Sequence, residues 1–265
     1  MNLRKFLLIT TSTLLLIFTI SALAQDMDVY QKKLFQNKGD TLPYRIMYPP
    51  DFDESGKYPL LLFLHGAGER GNDNEKQLVH GANFLADPSN RKDYPAVVVF
   101  PQCPEDDWWA RVNDSVDPDG KRVFTFYSKG SPNPAMRLLL DLIDELVNES
   151  YIDADRVYLG GLSMGGMGTF DLLSLRPKTF AAAFPICGGG NLKTTRKISR
   201  ITSFWIFHGA DDKVVDPEYS TGMAEAIKKQ KGKVKLTIYP GTGHNSWDKA
   251  FAEPELLPWV FSNRR

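Results

Sequence analysis

The chain has 265 residues, enough for one sizeable core, and without a low-complexity linker it reads as one domain rather than two. Its 42% apolar and 24% charged residues are those of an ordinary folded protein and exclude extensive disorder. With 32 basic residues against 32 acidic ones, the molecule as a whole generates no field for nucleic acid or anionic lipid, so neither a nucleic-acid nor a stable membrane partner is expected.

Residues 1–24 have the pattern of a signal peptide: Arg4 and Lys5, an apolar run from Phe6 to Ile20, then Ala22-Leu23-Ala24 before Gln25. The run is shorter than the roughly 20 residues of a bilayer span, though an uncleaved anchor is the alternative. Either way the remaining domain, 25–265, is expected to be secreted or periplasmic. Val29 to Phe35 and Leu42 to Tyr48 alternate loosely around Asn37-Lys38-Gly39-Asp40 and predict an opening antiparallel hairpin.

From there the texture changes to short continuous apolar runs: Leu60 to Leu64, Ala96 to Phe100, Val157 to Leu159, Ala181 to Ile186, Phe204 to Phe207 and Val234 to Tyr239. Such runs predict strands covered on both faces of a mostly parallel sheet. Between them lie helical patterns, the clearest with Asn133 as cap, Pro134 as first residue and Met136, Leu139, Leu140, Ile143, Leu146 and Val147 on one stripe. Others follow Ser163 and Pro217, and Leu256 to Phe261 predicts a closing helix. The expected fold class is therefore α/β, a doubly wound sheet with helices on both faces. The segment 106–131 breaks the alternation. Its Trp108, Trp109, Phe124, Phe126 and Tyr127 among Asp, Gly and Lys predict an excursion, such as a small hairpin, with substrate binding favoured over surface decoration.

Gly161-Leu162-Ser163-Met164-Gly165 places G-x-S-x-G after a predicted strand and before a predicted helix. That context requires residues two before and two after the serine to lack side chains, and it raises the hydroxyl out of the sheet. Ser163 is the candidate nucleophile, with the Met164 N–H at the start of a helix as an oxyanion donor.

A serine needs a base, and the base needs a carboxylate to hold its tautomer. Asp211 and Asp212 both follow the strand ending in His208. Asp212 is chosen from the H-G-x-x-D-x-x-V spacing, which leaves Asp211 as a turn residue and His208 as a loop-packing histidine. His244, flanked by Gly241 and Gly243, is the histidine beyond the acid and the candidate base. His65-Gly66-Ala67-Gly68 ends the first long buried strand and exposes backbone N–H groups, so Ala67 is the second candidate oxyanion donor.

With HGAGERG, PQCP, GLSMGG, PICGGG, HGADDKVV and GTGHNSWD in this order, the chain resembles the carboxylesterase and predicted-peptidase group of α/β-hydrolases. Within that group it is similar to secreted feruloyl and acetyl-xylan esterases and to phospholipase/carboxylesterase-like proteins. The resemblance implies an α/β-hydrolase fold, a triad of Ser163, Asp212 and His244, and an oxyanion hole from Ala67 and Met164. It also implies that Gln102 and Trp247 line the pocket, and Trp109 of the aromatic insertion joins them as a candidate substrate contact. Ester hydrolysis on a small-molecule or carbohydrate ester, such as acylated plant polysaccharide, is the activity expected. A peptidase acting on short peptides and an idle carbohydrate-binding module are the alternatives. No metal or organic cofactor is expected, since no Cys or His cluster has ligand spacing. Cys103 and Cys187 are expected as two inert buried thiols, with a disulfide left open.

Overall fold

The computed structural model describes residues 27–265; the leader-like segment 1–24 lies outside the described residues. The opening hairpin forms from β1 (Gln31–Asn37) and β2 (Asp40–Met47), antiparallel in register from Gln31 opposite Ile46 to Asn37 opposite Asp40. Then come β3 (Tyr58–Leu64), the short helices α1 (Ala82–Ala86) and α2 (Pro88–Asp93), and β4 (Val97–Pro101). A separate two-stranded ribbon, β5 (Val112–Val116) and β6 (Arg122–Phe126), precedes α3 (Pro134–Val147). The chain continues through β7 (Ile152–Leu162), α4 (Met164–Leu175), β8 (Ala182–Ile186), α5 (Thr195–Ile198), β9 (Ser203–Gly209), α6 (Glu218–Lys229) and β10 (Val234–Tyr239). It closes with α7 (Trp247–Phe251) and α8 (Leu256–Phe261).

The main sheet has eight strands in the order β1-β2-β4-β3-β7-β8-β9-β10. Pairs from β4 to β10 are parallel, and β2 joins β4 antiparallel. Alternation along each strand divides the core. Leu60, Leu62 and Leu64 face α3 and α4, whereas Leu61 and Phe63 pack on the side of α1 and α8 with Tyr158, Phe184, Trp205 and Val260. This double burial explains why the strands read as continuous apolar runs. β10 departs from that expectation. It is the sheet's edge, Leu236 is 36% exposed, and the neighbouring Lys235 lays its ammonium over Trp205.

Registers align the carboxyl ends of the central strands: Leu64 lies opposite Gly161, Leu162 opposite Ile186, and Ile186 opposite Phe207. The loops carrying 65–71, 163, 187 and 210–215 therefore leave the sheet at one rim, the position where open α/β sheets bind ligands.

The excursion 106–131 is a hairpin, and it is tied down along its length. At its base the Arg111 guanidinium and backbone N–H both donate to the buried Asp171 carboxylate of α4, at 2.6–3.2 Å. Further out, Asn191 donates to the Phe126 carbonyl, the Phe124 N–H donates to the Tyr219 hydroxyl, and Lys121 pairs with Asp216. Phe124 packs with Met167 and Val215 in a small cluster of its own. Asn133 occupies the position before α3 as expected, but its amide turns back to the Trp108 and Ala110 carbonyls. The cap oxygen comes instead from Asp107, which accepts from the Ala135 N–H at 2.7 Å.

Candidate active site

β7 runs straight into Ser163, whose φ of 53° is a conformation that side-chain-bearing residues rarely adopt, and α4 begins at the next residue. The turn closes only because its glycines are bare. A Cβ on Gly161 would stand 2.4 Å from the Gly165 carbonyl oxygen, and one on Gly165 only 1.9 Å from that of Leu64. Hydrogen bonds from the Ser163 N–H to Ile186 and from the Met167 N–H to the Ser163 carbonyl, both 2.9 Å, hold the bend. Met164 opens α4, so its N–H belongs to the first turn, where no intrahelical acceptor exists and the helix presents its positive end.

His244 and Asp212 reach this serine from the loops after β10 and β9. His244 Nε2 lies 3.0 Å from Ser163 Oγ, and its Nδ1 lies 2.7 Å from Asp212 Oδ2. The two loops touch at Gly209, where a Cβ would stand 2.2 Å from the Gly243 carbonyl oxygen and 2.4 Å from that of Thr242. Asp211 is exposed and donates its N–H to Thr242, a turn role that leaves its carboxylate outside the cluster.

The Asp212 side chain is fully buried. Burial alone would raise its carboxyl, but hydrogen bonds from His208, His244 and the Val215 N–H hold it well below the usual carboxylate range. The Val214 and Val215 N–H groups both bond Oδ1, at 2.8 and 3.0 Å. His208, read from the sequence as loop packing, is buried, but it also places Nε2 3.1 Å from Asp212 Oδ2 and 2.9 Å from the Val215 carbonyl. Since both neighbours are acceptors, that nitrogen carries a proton. This second imidazole on the acid is a site residue that the sequence reading missed; its position four before Asp212 was the available signal.

On the other side, Ala67 opens a single 3-10 turn, Ala67–Glu69, so its N–H is likewise among first-turn donors. The preceding Gly66 sits close to the nucleophile: a Cβ there would lie 3.7 Å from Ser163 Cβ. Two buried polar residues fasten this loop to the end of β4. His65 donates from Nδ1 to the Gly66 carbonyl at 2.6 Å and accepts the Cys103 N–H at Nε2. Gln102 accepts the Asn74 N–H and donates to Asp73 and to the Glu69 carbonyl.

The reading of Gln102 as a substrate contact is therefore corrected. It is fully buried with its amide engaged on both sides, and it braces the loop rather than lining a pocket. Trp109 is corrected too: it is 0% exposed, its ring meets His65 edge-on at 5.4 Å, and it packs directly on Gly168 of α4. Trp247 does border the cluster, edge-on to the His244 ring at 5.5 Å, with its other contact to His80 at 5.0 Å. Cys103 and Cys187 are both free and buried, and burial pushes both thiols up, out of the reactive range.

Burial pushes the His65 imidazole down to about 4. An unfolded histidine titrates near ~6.5, so the neutral buried ring contributes stability that is complete above that value and is lost as pH falls toward the folded one. The interval is worth ~3 kcal/mol. Urea unfolding at neutral pH and in mild acid is expected to show a larger loss for the wild type than for His65→Asn. Equal losses would remove His65 from this account.

A family model described as Phospholipase/Carboxylesterase matches residues 53–254. A solved thermostable esterase is 35% identical with a TM-score of 0.80, over 90% of this chain and 64% of that one. Among curated proteins, a bifunctional acetylxylan esterase/xylanase of Neocallimastix patriciarum is 29% identical over 172 residues, which is 65% of this chain. A dipeptidyl-peptidase 5 of Porphyromonas gingivalis is 28% identical over 154 residues, 56% of this chain. The chain spans only 22% and 19% of those two proteins' lengths.

Proposed function

Because this chain belongs to the phospholipase/carboxylesterase family of α/β-hydrolases, we propose that it hydrolyses carboxylic esters, with Ser163, His244 and Asp212 acting in series. The observation that carries this reading is the unbroken contact from hydroxyl to imidazole to buried carboxylate, 3.0 and 2.7 Å. His244 takes the Ser163 proton as Oγ attacks the ester carbonyl. Asp212 keeps the imidazole in the tautomer that can accept at Nε2, and it stabilises the imidazolium formed. The Met164 and Ala67 N–H groups receive the negative oxygen of the tetrahedral intermediate. Collapse expels the alcohol with a proton from His244, leaving an acyl group on Ser163. Water, activated by the same imidazole, then releases the carboxylic acid.

The proposed substrates are small or carbohydrate esters, including acylated plant polysaccharide or its fragments, reached in a secreted or periplasmic location after removal of residues 1–24. The leader pattern and the likeness to an acetylxylan esterase support this. The likeness to a dipeptidyl-peptidase motivates the rival, peptide cleavage by the same three residues. Rates on p-nitrophenyl acetate, methyl ferulate, acetylated xylan and dipeptide anilides decide between them. The ester reading expects turnover of at least one oxygen ester with the anilides silent, and the reverse ranking would replace it.

A further inference from the structure

Ser163 stands between two unlike walls. On the α4 side Phe124, Met167 and Val215 form the apolar cluster that the ribbon closes, with Trp108 packed against it. The other wall, where Trp247 packs on the α1 and α8 side of the sheet, carries polar groups in a continuous circuit. The His244 ring meets Trp247 at 5.5 Å, Trp247 meets His80 at 5.0 Å, and His80 Nε2 lies 3.7 Å from Glu69 Oε1. From there the circuit returns to the nucleophile through Gly66. A Cβ on that glycine would stand 3.0 Å from Glu69 Oε2 and 3.7 Å from Ser163 Cβ.

Glu69 is the member of this circuit that needs a reason. Its side chain is only 13% exposed, its contact with His80 exceeds hydrogen-bond length, and among the described residues no hydrogen bond reaches its carboxylate. A mostly buried carboxylate without a donor costs folding free energy. It costs catalysis as well, because Glu69 shares the turn Ala67–Glu69 with the proposed oxyanion donor, and its charge opposes the oxyanion that forms there. Both penalties fall when a bound group donates a hydrogen bond to it.

We infer that Glu69, with His80 and Trp247, forms the subsite for the leaving alcohol and selects alcohols with a free hydroxyl on the carbon next to the ester-bearing one, as in glycerol and sugars. This rests on the ester reading above. The departing oxygen takes its proton from His244 Nε2, so the alcohol leaves past that imidazole, and Trp247 is the ring that borders it on the polar wall. The neighbouring hydroxyl donates to Glu69 in a charge-assisted bond, while the half-buried rings of Trp247 and His80 cover the carbon face of the alcohol. An alkyl alcohol leaves the carboxylate without a donor. A cationic alcohol fits less well, because Arg70 follows directly in the same loop and the polar group beside the carboxylate is itself a basic ring.

The test holds the acetyl group constant and varies the alcohol, comparing glycerol 1-acetate, ethyl acetate and acetylcholine by acid release at neutral pH with the full chain. The wild type is expected to favour glycerol 1-acetate over ethyl acetate by about tenfold or more in kcat/KM, as a hydrogen bond to a charged group provides. In Glu69→Leu that ratio is expected to fall by about tenfold, whereas a role confined to bracing the loop would lower both rates together and leave the ratio in place. If Glu69→Leu does not fold, His80→Phe keeps a ring against Trp247 and is expected to lower the ratio about threefold. A wild-type ratio near one, a ratio that the folded variant leaves unchanged, or a Glu69-dependent preference for acetylcholine would each overturn the inference while the ester reading stands. Failure to turn over any acetate, p-nitrophenyl acetate included, would remove the ester reading and this subsite with it.

Discussion

Ser163→Ala is expected to lower kcat on p-nitrophenyl acetate by roughly 10⁶-fold, about 8 kcal/mol of barrier, while the melting temperature hardly moves. The substitution deletes one oxygen and leaves the bend as it is, since the elbow is held by backbone hydrogen bonds and by the close approach of Gly165 to Leu64. No neighbouring group can take over the attack. Cys187 follows β8 at the same rim, but it is sealed from solvent and its thiol is pushed up by burial. A variant that kept a large fraction of the wild-type rate would show that Ser163 is not the attacking group.

Asp212→Asn is expected to cost on the order of 10⁴-fold in kcat, with Asp211→Asn close to wild type. The carboxylate receives four donors, His244, His208 and the Val214 and Val215 N–H groups. An amide that still accepts the two backbone donors must turn its NH₂ toward both imidazoles, and His244 is then left in the tautomer that cannot take a proton at Nε2. The variant is also expected to be less stable at neutral pH. The wild-type carboxyl titrates below an unfolded aspartate, so its contribution is fully present above ~4 and drains away only as pH falls toward the lower folded value. Steady-state rates for the two asparagine variants, with urea midpoints alongside, check both statements. A comparable rate loss at Asp211 would shift the acid by one residue.

The framework was readable in the sequence because its signals are local. Bare glycines around Ser163, apolar runs of strand length and the spacing from His208 to Val215 each encode a turn or a burial pattern directly. The three side chains picked out this way do meet at one rim of the sheet. What could not be read depends on which way a side chain turns after a strand ends. Gln102 and Trp109 stand in loops near the rim, and nothing in their neighbours says that one braces Asn74 and Asp73 while the other fills the space above Gly168. Asp107 as the cap of α3 falls in the same class, because a partner distant in sequence decides it, whereas the contact of His208 with Asp212, four residues on, had a local signal that was passed over. β10 reads with the interior strands for Val234, Leu236, Ile238 and Tyr239, although Lys235 and Thr237 alternate with them; its edge position is a property of strand order.

Neither Cys103 nor Cys187 is joined to anything, so the described part of the molecule closes no covalent loop. Its cohesion comes wholly from the two packed faces of the sheet and the polar ties at the rim. A reducing agent therefore has no bond to cut, and refolding from urea proceeds without the thiol exchange that often slows cross-linked proteins.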